Sequence, residues 1–354
     1  MFRVGSDKNY LVHTEMKTFG IEIQPLNLPL KRRFTISRGS RDEVNNVLIK
    51  VHCDGITGIG EAAPNHRYDE TQNSAIKFLT GFGNYEAANP YDISLLVQLM
   101  EEYAPGEYAA KAGLEMAVYD WIGKKLNLPV YKLLQAPDRT GPRTTYTFGI
   151  DKPEVMKDKV EEAGPYPLLK IKLGTDYDKD IIKAIRELTN KPILVDANEG
   201  WKTVDQALDM IQFLDKQNVF VIEQPMPAAC VEEMREVRLK SSIPLIADES
   251  ITGKESLQEL SSQFHGINIK LMKTGAISTS LRIIHQARKI GLQVMVGCMI
   301  ESAIADTASA LVALWADYAD VDGHLLLAEN PVKGVVVLPQ GHIQVQDLPG
   351  LGFE

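Results

Sequence analysis

The second half of the chain repeats one pattern, in which a short apolar stretch ends in a polar residue and an amphipathic segment follows. These ends recur at intervals of 22 to 28 residues. The repeat length fits one strand, one loop and one helix, which is typical of parallel sheets covered by helices. The ends in question are Lys172, Asp196, Glu223, Asp248, Lys270 and Cys298.

The repeats fill about 185 residues, which is near the lower limit for a closed eight-stranded α/β barrel. An open doubly wound sheet also alternates strands and helices, but it usually has a glycine-rich phosphate loop after its first strand. No such loop is visible in this sequence. We therefore predict an α/β fold whose catalytic part is a TIM-like barrel over residues 136–327.

The N-terminal part of the chain has a different pattern. Residues from about 16 to 60 alternate like antiparallel strands, and those from about 69 to 134 have helical spacing that Pro129 closes. We predict an α+β domain over residues 1–135.

Composition excludes several function classes. The chain of 354 residues has 38 basic and 47 acidic residues, a net charge of −9, so neither nucleic acid nor an anionic membrane is an expected partner. Its three cysteines lie far apart, the first fifteen residues lack a secretory pattern, and no run of eighteen apolar residues occurs. We expect a cytoplasmic protein, and we also expect it to be a homo-oligomer.

Three carboxylates follow apolar triplets on successive predicted strands, namely Asp196, Glu223 and Asp248. Each alone is equally compatible with a helix cap or a solvated loop. The carboxyl ends of barrel strands converge on one face, however, and three carboxylates brought together repel one another unless a cation lies between them. Their hard oxygen ligands predict a site for Mg²⁺, with Mn²⁺ as the alternative, rather than for zinc.

Two lysines, Lys170 and Lys172, are two residues apart on the preceding strand and so point to the same face. Their mutual repulsion is expected to lower the pKa of one of them, which would make it a usable base. A solvated edge strand is the alternative, but the apolar flanks favour burial. On the sixth strand we choose Lys270 over Lys273 as the group that faces the cation. Lysines on opposite sides of a ligand permit stereochemical inversion.

The motifs KIK, VDAN, IEQP, ADES and NIKLMKTG, in this order and spacing, closely resemble the enolase superfamily, specifically its muconate-lactonizing-enzyme-like subgroup. The resemblance spans nearly the whole chain. It implies a (β/α)7β barrel over 136–327 and an N-terminal α+β capping domain, 1–135, which the C-terminal tail, 328–354, joins.

The resemblance also implies roles for individual residues. Asp196, Glu223 and Asp248 would bind Mg²⁺, and Lys172 and Lys270 would be the general acid and base. Lys170 would assist electrostatically, and Asn198 would be an accessory group of the site.

The eighth strand distinguishes among activities in this subgroup. Asp320 and Asp322 form a DxD pair that resembles the motif by which dipeptide epimerases bind the substrate's α-ammonium group. Cys298, in GCMIES, also resembles the epimerase pattern. An acidic loop is the alternative interpretation of the pair. N-acylamino acid racemase and o-succinylbenzoate synthase, whose substrates lack the ammonium group, remain the alternative activities.

Substrate selection should depend on a capping-domain loop, residues 29–41. In Ala-Glu epimerases an arginine of this loop binds the glutamate side chain, but the matching position here is Gly39, with Arg38 and Arg41 nearby. We expect Arg38 to contact the substrate. The sequence thus predicts a Mg²⁺-dependent epimerase that acts on the C-terminal residue of a small dipeptide of the Ala-Xaa type.

Overall fold

The computed structural model describes residues 16–164 and 166–354, so the interpretation of the first fifteen residues lies outside the described residues. An antiparallel sheet in the order β3-β2-β1-β4 begins the fold. Its strands are β1 (Lys17–Ile36), β2 (Gly39–Cys53), β3 (Ile56–Ala62) and β4 (Tyr85–Ala87). The helices of this domain are α1 (Gln72–Phe82), α2 (Ile93–Tyr103), α3 (Tyr108–Leu126) and α4 (Val130–Leu133).

Helix α3 joins the capping sheet to the rest of the molecule. Most of its residues are buried, because the helix packs against β3 on one side and against the barrel on the other. Small residues allow this close approach: a Cβ on Gly60 would lie 2.0 Å from the carbonyl oxygen of Gly113. Helix α3 therefore packs the capping sheet directly against the barrel.

Strand β5 (Thr140–Arg143) leads into eight parallel barrel strands. These are β6 (Tyr146–Phe148), β7 (Leu169–Lys172), β8 (Ile193–Asp196), β9 (Val219–Glu223), β10 (Leu245–Ala247), β11 (Gly266–Ile269), β12 (Gln293–Gly297) and β13 (Tyr318–Asp320). Neighbouring strands pair in sequence order, and a parallel bridge between Thr144 and Ala319 joins the two ends. The predicted (β/α)7β barrel with a capping domain is confirmed.

Helices connect successive strands of the barrel. They are α5 (Pro153–Glu162), α6 (Asp178–Arg186), α7 (Val204–Asp215), α8 (Val231–Lys240), α9 (Leu257–Gln263), α10 (Leu271–Thr274), α11 (Ile277–Lys289) and α12 (Ala303–Ala313). Helix α6 buries Ile181, Ile182 and Ile185 on one side and carries its charges on the other, the pattern of a helix that covers a sheet. Across the described part of the chain, no helix is long and apolar enough to cross a membrane.

The interior of the barrel has an apolar layer beneath its polar end. Side chains alternate along a strand with a period of two, so Leu194 faces inward with Asp196, and Val221 faces inward with Glu223. The apolar layer is a separate buried cluster formed by Leu194, Val221, Ile246 and Met295. The sequence alternation thus places the acids at the mouth of a packed barrel.

The C-terminal segment contacts both parts of the fold. Its strands β14 (Val336–Val337) and β15 (His342–Gln344) form a three-stranded sheet with β5. The amide of Val130 donates to the carbonyl of Gly350 at 2.8 Å, which fastens the segment to the capping domain. The exact domain boundaries at residues 135 and 327 stay a prediction.

Candidate active site

A cavity of about 120 Å³ lies at the C-terminal ends of the barrel strands. The hairpin formed by β1 and β2 covers it, and strand-end residues form its floor. The barrel residues in its wall include Lys170, Lys172, Asp248, Lys270, Cys298 and Asp320. The convergence predicted from the repeat length is therefore present in the fold.

The three predicted ligands lie together at this end of the barrel, and Asp248 among them lines the cavity. One oxygen each from Asp196, Glu223 and Asp248 falls within 4.8 Å of the others, and all three residues are buried. The side-chain amide of Asn268 donates to Glu223 at 2.7 Å and orients that carboxylate. Three buried carboxylates at this spacing are a donor set that fits a hard divalent cation.

The three predicted lysines lie around the carboxylates. The Nζ of Lys170 lies 2.6 Å from Oε2 of Glu223 and 3.2 Å from Oδ2 of Asp196 and forms ion pairs with both. Lys172 lies 2.5 Å from Asp196. On the other side, Lys270 lies 2.7 Å from Asp248. The structure brings all predicted lysines and acids into one network.

The charges of this network set the protonation of the acids. Burial alone would raise the pKa of Asp196, but the ammonium groups of Lys172 and Lys170 outweigh it, and the pKa falls below its usual range. Lys270 and Lys273 lower the pKa of Asp248 in the same way against its burial. Burial and the charge of Asp196 raise the pKa of Glu223 to about 8. The trio thus has unequal affinities for protons.

The sequence predicts a lowered pKa for one of the two adjacent lysines, and Lys170 is not that one. Burial lowers the pKa of this ammonium, but Asp320, Glu223 and Asp196 raise it more, so the pKa lies well above its ordinary value. Lys270 has a raised pKa for the same reason, with Asp248 as the main partner. Sequence reasoning considered repulsion between adjacent lysines, whereas the surrounding acids dominate.

The eighth strand places its two acids beside this network. Asp320 accepts a hydrogen bond from Thr145 Oγ1 at 2.6 Å, and Asp322 accepts one from the amide of Thr147 at 2.6 Å. Burial and the charge of Asp320 raise the pKa of Asp322 to about 8. Both acids line the cavity, as the DxD interpretation requires.

Cys298 lies in the cavity wall, where its sulfur accepts a hydrogen bond from the amide of Gly323 at 3.3 Å. This contact joins the end of β12 to the segment that follows β13. Burial raises the pKa of the thiol well above its ordinary value, so the sulfur is a protonated wall residue and not a nucleophile.

The segment predicted as a loop, residues 29–41, is instead the end of the β1–β2 hairpin. Arg38 lies in its turn, lines the cavity, and forms an ion pair with Glu249 at 2.8 Å. It also donates to the backbone oxygen of Asn198 at 3.1 Å. The amide of Asn198 in turn donates to Asp196 at 2.9 Å. Arg38 and Asn198 therefore connect the hairpin to the carboxylate centre.

Sequence reasoning missed three residues of the site. Glu249 pairs with Arg38, Asn268 orients Glu223, and Lys273 lies 2.6 Å from Asp248. The sequence could have indicated two of them. Glu249 directly follows the predicted ligand Asp248, and Asn268 is two residues before Lys270 and so points to the same face of the strand.

Two family models match the chain. "Enolase C-terminal domain-like" covers residues 153–354, and "Mandelate racemase / muconate lactonizing enzyme, N-terminal domain" covers residues 20–135. The chain belongs to the enolase superfamily. The resemblance carried by the five motifs is thereby confirmed, and as its relatives are racemases and epimerases, this member of the enolase superfamily is an isomerase.

Individual relatives refine the placement within the enolase superfamily. The chain is 38% identical to the L-Ala-D/L-Glu epimerase of Bacteroides thetaiotaomicron, over 93% of this chain and 86% of that protein. It is 32% identical to the N-succinyl-L-Arg/Lys racemase of Bacillus cereus, over 96% and 95%. The crystal structure of the dipeptide epimerase from Enterococcus faecalis V583, complexed with Mg and L-Leu-L-Tyr, superposes with a TM-score of 0.87 at 30% identity, covering 96% and 99%.

Proposed function

We propose that this enzyme is a Mg²⁺-dependent dipeptide epimerase that inverts the α-carbon of the C-terminal residue in dipeptides of the Ala-Xaa type. One observation carries the proposal. Lys172 contacts Asp196 at 2.5 Å and Lys270 contacts Asp248 at 2.7 Å, from strands that are four positions apart in an eight-stranded barrel. Two amines thus face the same carboxylate centre from opposite sides.

The geometry suits a two-base reaction. A substrate α-carbon held between the two amines would lose its proton to one lysine and receive a proton from the other on the opposite face. Inversion follows because the two protons are exchanged on different faces. Lys170, which has ion pairs to three acids, keeps its charge throughout and stabilises negative charge at the centre.

Asp196, Glu223 and Asp248 would hold the cation. When bound there, Mg²⁺ would stabilise the negative charge that develops on the substrate during deprotonation. The cation would also neutralise much of the negative charge of the three acids. Because that charge raises the pKa of the neighbouring lysines, their pKa would then fall toward the range of a useful base. Mn²⁺, which favours similar oxygen ligands, is the alternative ion.

Asp320 and Asp322 would bind the substrate's free ammonium group. Both line the cavity and both are buried, so a cation is the group that they favour. The dipeptide epimerase relatives are consistent with this assignment. Arg38 remains our candidate for a contact to the C-terminal side chain, in addition to its ion pair with Glu249.

The proposal is tested by incubating a dipeptide library with the enzyme and Mg²⁺ in deuterated water. Epimerised dipeptides gain one mass unit at the C-terminal α-carbon. The variants Lys172→Ala and Lys270→Ala should each lower epimerisation by at least ~100-fold. Lys183→Ala, an exposed lysine of α6, is the matched control and should retain the parent rate. Parent rates in either site variant would refute the assignment.

A second candidate is an N-acylamino acid racemase or o-succinylbenzoate synthase. The specific observation in its favour is the identity of 32% to the N-succinyl-L-Arg/Lys racemase of Bacillus cereus. Its substrates have no free α-ammonium group, so the buried DxD pair would have no cation to bind. We prefer the dipeptide epimerase for this reason.

A further inference from the structure

A second cavity, of about 260 Å³, lies beside the catalytic one. It is enclosed by the end of β1, the first barrel strand β6, helix α5 and the segment that follows β13. Phe34, Thr147 and Leu326 line both cavities and so form the wall between them. The second cavity is therefore a neighbour of the substrate site rather than a separate surface feature.

The lining of this second cavity is strongly basic. It contains one carboxylate, Glu162, and four cations, which are Lys31, Arg32, Arg33 and Lys159. Arg32 pairs with Glu162, and Arg33 lies 3.4 Å from Asp42. Lys159 lies 3.3 Å from Asp151, so the four cations face three carboxylates and one positive charge remains in excess, which favours an anionic group.

Backbone contacts hold the two lysines at the cavity. Lys31 donates to the carbonyl of Leu325 at 2.8 Å, and Lys159 donates to the carbonyl of Gly149 at 3.0 Å. Lys159 is 8% exposed, and burial lowers its pKa, with Asp151 only partly opposing the effect. A further carboxylate at this position would stabilise the charged form of Lys159.

The wall between the cavities adjoins the proposed ammonium site. The amide of Thr147 donates to Asp322 at 2.6 Å, while the same residue lines the second cavity. Tyr146 also lines the second cavity. Its pKa is raised mainly by burial, and the charge of Asp322 is the next largest cause. In a dipeptide, the N-terminal side chain begins one bond beyond the carbon that bears the ammonium group. That side chain would start at the wall.

We propose that the second cavity receives the side chain of the substrate's N-terminal residue and favours an acidic one. The inference rests on the proposed function and narrows its N-terminal position: Ala-Xaa dipeptides are turned over, and an acidic residue in place of alanine is favoured. The cavity has room for several waters at roughly 30 Å³ each, which a side chain of glutamate size would displace. Its carboxylate would form charge-assisted hydrogen bonds to Lys31 and Lys159.

The test compares dipeptides that differ only in the charge of the N-terminal residue. With the C-terminal residue kept constant, kcat/KM is measured for L-Glu-L-Xaa and for the isosteric L-Gln-L-Xaa. We expect the glutamyl substrate to be preferred by about tenfold, because its carboxylate would form charge-assisted hydrogen bonds that the neutral amide of glutamine would not. Raising the ionic strength should reduce this preference.

Variants assign the preference to the cavity. Lys159→Met and Lys31→Met should each reduce the Glu/Gln ratio toward one. Lys157→Met is the matched control, because Lys157 lies on the same helix but pairs with Glu187 outside the cavity, and it should keep the parent ratio. Should Lys159→Met fail to fold, Lys31→Met, an exposed residue, is sufficient for the test.

Each other outcome overturns the inference in a recognisable way. Equal kcat/KM for the two substrates, or an unchanged ratio in the lysine variants that fold, excludes the cavity as a side-chain site while Ala-Xaa turnover still supports the proposed function. Binding of free succinate at these lysines without any glutamyl preference would make the cavity an effector site. Absence of turnover for every dipeptide, Ala-Xaa included, refutes the proposed function itself.

Discussion

The ammonium group of Lys170 lies 2.5 Å from a carboxylate oxygen of Asp320 inside the barrel. The same ammonium reaches Glu223 and Asp196, and its side chain is 1% exposed. A buried charge is tolerated only when it is paired, so this lysine is stable where it lies because of acids from three other strands. The carboxylate centre and the eighth strand are therefore one electrostatic unit.

Removing this lysine should destabilise the fold. In Lys170→Met the buried acids lose their shared partner, and we expect the free energy of unfolding in the absence of divalent cations to fall by about 3–5 kcal/mol. Urea denaturation measures the loss. Lys183→Met, which breaks an exposed pair with Asp180, should leave stability nearly unchanged. A Lys170→Met variant as stable as the parent would contradict the pairing.

Asp322 should distinguish the two candidate activities. Asp322→Asn removes the carboxyl group that a bound ammonium group would ionise and pair with, so kcat/KM for dipeptides should fall by roughly 10–100-fold. N-succinylated and N-acetylated amino acids, assayed in parallel, should not show this loss. The control is Glu329→Gln, an exposed acid a few residues later. If dipeptide turnover survives in Asp322→Asn, ammonium recognition by this residue is refuted.

Divalent cations should stabilise the protein through the carboxylate trio. A ligand that binds only the folded state raises the melting temperature in proportion to ln(1 + [L]/Kd). We expect Mg²⁺ to raise the melting temperature of the parent and to have little effect on Glu223→Gln, by differential scanning fluorimetry. Asp209→Asn, an exposed acid of α7, should keep the full shift. An equal shift in Glu223→Gln would place the ion elsewhere.

A buried carboxyl between the two domains should make stability depend on pH. Glu115 of α3 accepts hydrogen bonds from the backbone at the start of α11, and burial raises its pKa from 4.5 to about 7. The folded state then binds the proton more tightly than the unfolded state. Stability from this group is fully present below pH 4.5 and is lost as the pH rises to about 7.

The Glu115→Gln variant isolates this contribution. The free energy of unfolding of the parent, measured relative to that of the variant, should fall by about 3 kcal/mol from pH 4.5 to pH 8. Chemical denaturation at several pH values measures it. Glu102→Gln, an exposed acid of α2, serves as control. A difference that does not change with pH would show that Glu115 is ionised in the folded protein.

Periodicity explains how the sequence indicated which acids and lysines would lie at one end of the barrel. Side chains two residues apart on a strand point to the same face. Because Leu194 faces the apolar layer inside the barrel, Asp196 also points into the barrel. The carboxyl ends of all strands in a barrel share one face, which brings together residues that are far apart in the chain. Local patterns were therefore sufficient for the acids and for Lys170, Lys172 and Lys270.

What the sequence did not reveal depends on contacts between distant segments. Arg38 meets Glu249 across 211 residues, and nothing near either residue indicates the pair. Lys273 was set aside because it lies beyond the strand, yet helix α10 begins directly after Lys270 and its first turn brings Lys273 back to Asp248. The raised pKa of Lys170 likewise depends on acids from three other strands.

The most direct test of the account follows α-proton exchange of each epimer separately. If Lys172 and Lys270 each serve one face of the substrate, Lys172→Ala should exchange the α-proton of one epimer in deuterated water and Lys270→Ala that of the other, while neither epimerises. Nuclear magnetic resonance on L-Ala-L-Glu and L-Ala-D-Glu measures both rates. Exchange of both epimers by one of these variants would contradict the two-base arrangement.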